Sequence, residues 1–173
     1  MVTLYDHQKE VINKLTSGSI LWGGTGVGKS ITALAYYFMV ECQEMKKPMD
    51  LLIITTAQKR DKHEWDGECA KFDLNQNPEL CWWKVNVKID SWNNIQKYQN
   101  VHGQFVIFDE QRATGKGPWV KAFIKIARQN RWILLSATPG DKWIEYYPVF
   151  AANGFYRTKK EFYDQHCIFS PYD

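Results

Sequence analysis

Short apolar runs alternate with longer segments of mixed polarity along most of the chain. Five runs have the length and the β-branched or aromatic content of buried strands, and they cover residues 19–22, 51–56, 85–89, 104–108 and 131–135. The third run alternates polar and apolar residues, so it predicts a strand with one face toward solvent. Strands separated by helical segments predict an α/β fold with a mostly parallel sheet and helices on both faces.

The segments between these runs have helical length or spacing. Residues 58–72 are highly charged, with Trp65, Cys69 and Phe72 at helical intervals, which predicts one surface helix. Asp6 is a suitable N-cap for the first helix, and Asp90 or Ser91 for the short fourth one. Helices are predicted at 6–15, 31–40, 58–72, 91–98 and 119–128, and in pieces within 143–173.

Length and composition limit the class of protein. A chain of 173 residues with 45% apolar and 15% aromatic residues suits one well-cored domain spanning 1–173 and excludes a mostly disordered chain. The apolar runs are too short for a membrane span, and the first residues lack a signal-peptide pattern. The four cysteines are widely spaced, which indicates free thiols and a cytoplasmic protein. A net charge of +3 permits a nucleic-acid partner without demonstrating one.

Residues 23–30 read GGTGVGKS and fit the phosphate-binding pattern G-x-x-x-x-G-K-[ST] at every fixed position. The loop follows a predicted strand and precedes a predicted helix, so bound phosphate would lie at a helix N-terminus. Lys29 would contact the β- and γ-phosphates, and the Ser30 hydroxyl would ligate Mg²⁺. The predicted nucleotide-binding residues of the loop are Gly23, Gly24, Thr25, Gly26, Val27, Gly28, Lys29 and Ser30.

Two adjacent carboxylates end the fourth apolar run. Asp109 and Glu110 follow the sequence FVIF and would lie at the carboxyl edge of the sheet, where open α/β folds bind ligands. We expect Asp109 to hold the Mg²⁺ that bridges the phosphates, and Glu110 to orient and deprotonate the attacking water. Lys29, Asp109 and Glu110 are thus the predicted catalytic residues, with ATP and Mg²⁺ as ligands.

These motifs, taken in order, resemble the first RecA-like domain of a superfamily 2 helicase, nearest the Swi/Snf-type translocases and the compact bacteriophage helicases. The resemblance covers almost the whole chain. LYDHQ at 4–8 resembles the upstream element whose glutamine reads the adenine edge, which implies that role for Gln8. Residues 23–30 match motif I, 109–112 occupy the DEAD/DEAH position, and LSATP at 135–139 resembles motif III.

The resemblance implies further roles. Ser136 and Thr138 of motif III would link the γ-phosphate to the nucleic acid, and Trp65 occupies a position that is often aromatic in the Swi/Snf branch. Thr55 and Thr56 lie where the family places backbone contacts to single-stranded nucleic acid.

Other nucleic-acid contacts are open. Lys59, Arg60 and Lys62 follow the second strand and either contact phosphates or lie on a solvated helix. Trp83 and Trp92 either stack on bases or fill the core. The aromatic residues of the last segment are expected in packing: Phe150, Phe155, Tyr156, Phe162 and Tyr163.

The chain departs from the family pattern in two ways. Gln111 and Arg112 replace the usual small or acidic third residue and His or Asp fourth residue of the acidic motif. The family's second RecA-like domain, which carries an arginine finger worth roughly 10³–10⁵ in rate, is not expected within these 173 residues. We therefore expect a monomer that binds ATP, hydrolyses it slowly and does not unwind duplexes.

The favoured function is the first half of an ATP-dependent nucleic-acid motor. Its expected partners are nucleic acid, DNA in preference to RNA, and a second RecA-like domain, with no membrane. The alternative is a stand-alone module that binds nucleotide, nucleic acid or protein with little turnover. A ring-forming AAA-type ATPase is disfavoured by Gln8 upstream of the glycine loop and by the Ser-Ala-Thr sequence after the fifth strand.

Overall fold

The predicted parallel α/β architecture is confirmed. A computed structural model describes residues 2–44, 49–72, 85–110, 117–138, 140 and 142–167. Five strands form one sheet in which every neighbouring pair is parallel, in the order β1-β5-β4-β2-β3. The strands are β1 (Ile20–Trp22), β2 (Leu51–Thr55), β3 (Val87–Ser91), β4 (Phe105–Asp109) and β5 (Arg131–Ser136).

Helices connect the strands and cover both faces. A π-helical segment, Tyr37–Glu44, continues the second helix, and 3₁₀ helices span Trp92–Tyr98 and Trp143–Tyr146. The α-helices are α1 (Asp6–Lys14), α2 (Lys29–Tyr36), α3 (Ala57–Asp61), α4 (Glu64–Lys71), α5 (Pro118–Gln129), α6 (Tyr147–Ala152) and α7 (Lys159–His166). None of the helices in the described ranges is both long enough and apolar enough to cross a membrane.

Successive side chains of the central strands enter two separate cores, because strand residues alternate between the faces of a sheet. Ile53 and Ile107 pack on one face with residues of α1, α2 and α4. Ile54 and Phe108 pack on the other face with α5 and α6. β2 and β4 are buried along their whole length, which explains why their sequences are continuously apolar rather than alternating.

Two local predictions are wrong. The expected single helix at 58–72 is two helices, because His63 adopts a left-handed conformation (φ 55°) between α3 and α4. The break turns Trp65 and Cys69 into the core, where both are buried. Asp6 is not the N-cap of α1: it is the first helical residue, and Tyr5 precedes it in an extended conformation.

All five strands point the same way, so their carboxyl ends lie along one edge of the sheet. This edge carries the glycine loop after β1, Thr55 at the end of β2, Asp109 at the end of β4 and Ser136 at the end of β5. Sequence positions more than a hundred residues apart are thereby brought together, and the candidate site is built here.

Candidate nucleotide-binding site

The glycine loop turns directly from β1 into α2. Gly26 and Gly28 have φ values of 78° and 77°, a left-handed conformation that glycine adopts without strain. Gly28 is the N-cap of α2, so the free N–H groups of the first helical turn open toward the loop. This geometry suits an anion at the start of α2.

Lys29 bends back onto its own loop. Its Nζ donates to the carbonyl oxygens of Gly23 at 2.7 Å and Gly24 at 2.6 Å. Burial lowers the pKa of Lys29, and the nearby Lys59 ammonium adds to this, while Asp109 and Glu110 oppose it. The Lys29 ammonium is therefore held over the concave side of the loop by bonds that a phosphate oxygen could replace.

Gln8 is buried directly beneath the glycine loop. The residue is 4% exposed, and its Oε1 accepts a 2.9 Å hydrogen bond from the Tyr5 N–H. A Cβ atom placed on Gly28 would lie 2.5 Å from Gln8 Nε2, so any larger residue there would displace the glutamine amide, in addition to the strain from the φ value of 77°. The contact between Gln8 and adenine stays a prediction, and the structure places Gln8 against the loop.

Asp109 is the most heavily bonded carboxylate of the site. It is 3% exposed, and its Oδ2 accepts hydrogen bonds from Thr55 Oγ1 at 2.8 Å, Trp65 Nε1 at 2.9 Å and Lys59 Nζ at 3.1 Å. Its backbone carbonyl accepts from Trp92 Nε1 at 2.8 Å. No hydrogen bond from the described part of the chain reaches Oδ1. Four side chains thus fix Asp109 and leave one carboxylate oxygen for a ligand.

Glu110 follows Asp109 in a left-handed backbone conformation with φ 56°, which is uncommon outside glycine and is concentrated at functional positions. Its side chain is 40% exposed, and Oε1 lies 2.8 Å from Lys59 Nζ. Burial alone would lower the pKa of Lys59, but the hydrogen bonds that its ammonium donates to Glu110 and Asp109, together with the charges of both carboxylates, outweigh burial and raise that pKa. Lys59 is therefore a protonated bridge between the two acidic residues.

A cavity of about 650 Å³ lies between the glycine loop and the side chains of Lys59, Asp109 and Glu110. A second cavity of about 680 Å³ lies beside Trp22 and Trp143, but its lining is mainly aromatic and aliphatic and includes none of the predicted site residues. We assign the site to the first cavity on chemical grounds. Its lining is Thr25, Gly26, Gly28, Lys29, Ser30, Ile31, Lys59, Glu68, Asp109, Glu110, Leu135, Ser136, Ala137 and Thr138.

The oxygen groups of this cavity fit Mg²⁺. The Ser30 hydroxyl and the open Oδ1 of Asp109 are hard ligands of the kind that Mg²⁺ prefers, and this ion normally keeps water and phosphate oxygens as its remaining ligands. Within the described ranges, no group of three or more His, Cys, Asp or Glu side chains could hold a metal by itself. The donor set therefore suits a cation that arrives with phosphate.

The two motif III residues differ in exposure. Ser136 is 3% exposed and its carbonyl accepts a 3.2 Å hydrogen bond from the Gly23 N–H, while Thr138 is exposed at the rim of the cavity. Trp22 Nε1 also donates to the Ala137 carbonyl at 3.1 Å. The end of β5 is thus bonded to the start of the glycine loop, a connection that the coupling role of Ser136 and Thr138 would need.

The side chains predicted to contact nucleic acid form hydrogen bonds within the chain in this structure. Thr55 is fully buried and donates to Asp109, so in this conformation it cannot meet nucleic acid. Thr56 caps α3 by accepting from the Lys59 N–H, and Lys59 reaches the two carboxylates. Arg60 donates to Asp90 and Ser91 as well as to its neighbour Asp61. Nucleic-acid binding by Thr56, Lys59 and Arg60 stays a prediction.

Sequence reasoning missed the link between β2, its following helices and the acidic pair. Thr55, Lys59 and Trp65 all bond to Asp109. β2 and β4 are adjacent parallel strands, so the residues that follow one strand must approach the residues that follow the other. The sequence alone did not say that these two strands are neighbours.

Among the aromatic residues discussed in the sequence analysis, Trp92 and Phe162 are packed in the interior and Phe155 is exposed. Trp92 is 2% exposed and stacks with Phe108, so the core alternative is confirmed for it. Phe162 is fully buried among aromatic neighbours, whereas Phe155 is 65% exposed. Trp83, Gln111 and Arg112 lie outside the described residues.

The sheet order, the glycine loop and the acidic strand end together define a RecA-like α/β fold. No protein-family model matches the chain, and no curated protein matches it in sequence. Solved structures do match in fold. The SWI2/SNF2 ATPase core of Sulfolobus solfataricus, in complex with double-stranded DNA, superposes with a TM-score of 0.75 at 16% identity over 96% of this chain and 39% of that one.

Two further structures are similar. The Hef helicase domain of Pyrococcus furiosus gives a TM-score of 0.57 at 18% identity, over 86% of this chain and 35% of that one. A nuclease-deletion mutant of the Type ISP restriction-modification enzyme LlaGI, in complex with a DNA substrate mimic, gives 0.54 at 14% identity, over 82% and 18%. The chain therefore spans less than half the length of each of these three structures, and at these identities the likeness shows the fold.

Proposed function

We propose that the chain is the ATP-binding first RecA-like domain of a superfamily 2 helicase or translocase. The observation that carries the proposal is the meeting of Lys29 and Ser30 with Asp109 and Glu110 in one cavity at the carboxyl edge of the sheet. The similarity in fold to helicase and SWI2/SNF2 ATPase domains supports it independently.

Each side chain has a definite task in this proposal. The loop N–H groups and Lys29 bind the β- and γ-phosphates, and Gln8 positions the adenine. Ser30 and Asp109 would hold Mg²⁺, which neutralises charge on the phosphates. Glu110 accepts a proton from the attacking water, and the bonds of Thr55 and Trp65 keep Asp109 beside it.

Turnover by these residues alone should be slow. Phosphoryl transfer depends on cations placed around the developing charge, and an added arginine finger typically raises the rate by about 10³–10⁵. In this proposal a second RecA-like domain supplies that group, and Ser136 and Thr138 transmit the nucleotide state to the nucleic acid. The chain by itself then binds ATP with Mg²⁺, hydrolyses it slowly and does not separate strands.

DNA is the proposed track, because two of the three similar structures are complexes with DNA or a DNA mimic. The exposed Thr138 at the rim of the cavity is the residue proposed to sense it. DNA and RNA, single- and double-stranded, should be compared for stimulation of turnover, both with these 173 residues and with any longer natural chain that contains them. Stimulation by RNA alone would overturn the choice of DNA.

The nucleotide site is tested by two substitutions with opposite expectations. Lys29→Ala should weaken binding of a fluorescent ATP analogue in Mg²⁺ by about tenfold or more, since a phosphate contact is lost. Glu110→Gln should leave that affinity within about twofold and lower single-turnover hydrolysis by about 10²-fold or more. Equal hydrolysis by Glu110→Gln and the unchanged chain would contradict the motor and favour a binding module.

A further inference from the structure

Lys59 bridges the two carboxylates to which the proposed function gives the cation and the attacking water. Its Nζ lies 3.1 Å from Asp109 Oδ2 and 2.8 Å from Glu110 Oε1. The side chain is 27% exposed, so it is enclosed by the site rather than extended into solvent. Its ammonium is the group that neutralises the acidic pair in this structure.

The helix that carries Lys59 is fixed at both ends. The Thr56 hydroxyl accepts from the Lys59 N–H at 3.3 Å and starts α3 directly after β2. Arg60 Nη1 donates to Asp90 Oδ1 at 3.1 Å and to Ser91 Oγ at 3.0 Å, which ties α3 to the end of β3. Lys59 therefore starts from a fixed backbone and points toward the end of β4.

Lys29 does not perform the same task, because its ammonium is bonded to the carbonyls of Gly23 and Gly24. Among the described lining residues of the cavity, two lysines face three carboxylates, Glu68 included. Glu68 Oε1 accepts from Lys71 Nζ at 2.9 Å, while Glu68 Oε2 is buried and has no hydrogen-bond partner in the described part of the chain. Removing the Lys59 charge would leave Asp109 and Glu110 without their bridging cation and the site with a net negative charge, which attracts divalent cations and repels ATP.

We propose that Lys59 stands in for the divalent cation in the nucleotide-free site and thereby makes cation binding depend on nucleotide. This inference rests on the proposed function and assigns to it one more residue. Asp109 and Glu110 are neutralised by an ammonium of this chain, so Mg²⁺ alone gains little by entering. When ATP brings its phosphate charges, the Lys59 ammonium turns from the carboxylates toward the phosphates, which would leave Asp109 able to hold the cation.

Binding of Mn²⁺ without nucleotide tests the idea directly, because free Mn²⁺ is counted by its electron paramagnetic resonance signal. Lys59→Met keeps the length of the side chain and removes its charge. It should bind Mn²⁺ about tenfold more tightly than the unchanged chain, since one nearby charge commonly shifts a carboxylate equilibrium by that factor or more. Lys59→Arg keeps the charge and should retain the weak binding of the unchanged chain.

The affinity of Lys59→Met for ATP, measured in EDTA, should change in the opposite direction to its affinity for Mn²⁺. Lys59→Met exposes the phosphates to uncompensated carboxylates, so metal-free ATP should bind severalfold more weakly than it does to the unchanged chain. A purely structural role for Lys59 would weaken both ligands together. Lys62→Met is the matched control, because Lys62 is an exposed residue at the end of the same helix, and it should change neither affinity.

Circular dichroism shows first whether each variant is folded, and Lys59→Gln replaces Lys59→Met if the methionine variant is not. Unchanged or weaker Mn²⁺ binding by the folded neutral variant would overturn the inference. The Mn²⁺ titration contains no nucleotide, so this result is independent of the proposed function. Failure of the unchanged chain to bind Mn²⁺ and ATP together would instead contradict the proposed function.

Discussion

Two charged clusters lie at opposite edges of the same sheet and differ in what their bonds leave open. At the amino edge, Glu41 is fully buried, and its two oxygens accept from Tyr36 Oη at 2.5 Å and from the Arg131 guanidinium. At the carboxyl edge, Asp109 is almost as buried, but its three side-chain donors all reach Oδ2. The first carboxylate is saturated by the chain, and the second keeps one oxygen for a ligand.

This difference separates a structural ion pair from a candidate catalytic one. The Glu41 cluster lines neither of the two cavities described above, and burial together with Glu41 raises the pKa of Tyr36. The Asp109 cluster lines a cavity of about 650 Å³ next to the glycine loop. Burial and hydrogen bonding alone would not have told them apart, because both clusters have them. The open Oδ1 of Asp109 and the cavity beside it distinguish the two clusters.

Glu41→Gln should produce the largest loss of stability and leave the nucleotide site intact. The change leaves the Arg131 charge without its partner, and breaking a buried pair costs about 3–5 kcal/mol, which the partial exposure of Arg131 reduces to about 2 kcal/mol. Urea denaturation measures this loss, and titration with a fluorescent ATP analogue should give the affinity of the unchanged chain. Glu10→Gln, in an exposed pair with Lys14, is the control and should leave the urea midpoint unchanged.

Weaker nucleotide binding by folded Glu41→Gln would remove the contrast between the two edges. It would mean that the amino-edge cluster acts on the glycine loop through α2, which carries Tyr36 at its last turn.

Thr55→Val tests whether Thr55 holds Asp109 by its hydrogen bond or contacts nucleic acid. Valine keeps the shape of threonine in the fully buried position and removes one of the donors to Oδ2, with an expected loss of about 1 kcal/mol in the free energy of unfolding. Hydrolysis should fall several-fold because Asp109 is less firmly held, while DNA affinity measured without nucleotide should not change. A selective loss of DNA affinity would restore the sequence-based prediction that Thr55 contacts nucleic acid.

An effect no larger than that of Thr55→Val is expected at Asp90, which anchors Arg60 and hence α3. Burial alone would raise the pKa of Asp90, but hydrogen bonds from Asn94, Tyr98, the Ser91 N–H and Arg60 lower it to about 2. A carboxyl with a lowered folded-state pKa stabilises the fold above its ordinary pKa of 3.8 and loses that contribution as pH falls toward 2.

The contribution of Asp90 should be about 1 kcal/mol at neutral pH once solvent screening is included. Urea midpoints measured between pH 5 and pH 2 should fall less steeply for Asp90→Asn than for the unchanged chain. Parallel pH profiles would show that Asp90 is not the group whose protonation loosens α3.

The sequence predicted most of the fold because each signal was local. Continuous apolar runs identified β2 and β4, and the helix predicted from residue 31 after the glycine loop is α2, which begins slightly earlier at Lys29. The prediction failed where a tertiary contact changed the local preference. Residues 58–72 looked like one helix, but Trp65 turns inward to bond with Asp109, and the chain breaks at His63 to allow it.

The candidate site was predicted only in part, because local motifs indicate some of its residues and tertiary contacts bring in the others. Lys29, Ser30, Asp109 and Glu110 each follow from a short motif in which spacing determines geometry, and the structure lines one cavity with all four. Lys59 was assigned to nucleic acid or solvent, because nothing within its own segment indicates a carboxylate fifty residues away.

The sequence by itself therefore determined the strands, the loop and the identity of the groups at the carboxyl edge, since these depend on periodicity and on the chemistry of neighbouring residues. Only the tertiary structure decided that β2 lies next to β4 and that three side chains after or within β2 meet one oxygen of Asp109. Strand order is set by the packing of helices on both faces, which no single segment encodes. The partners of Asp109 and Glu110 follow from that order.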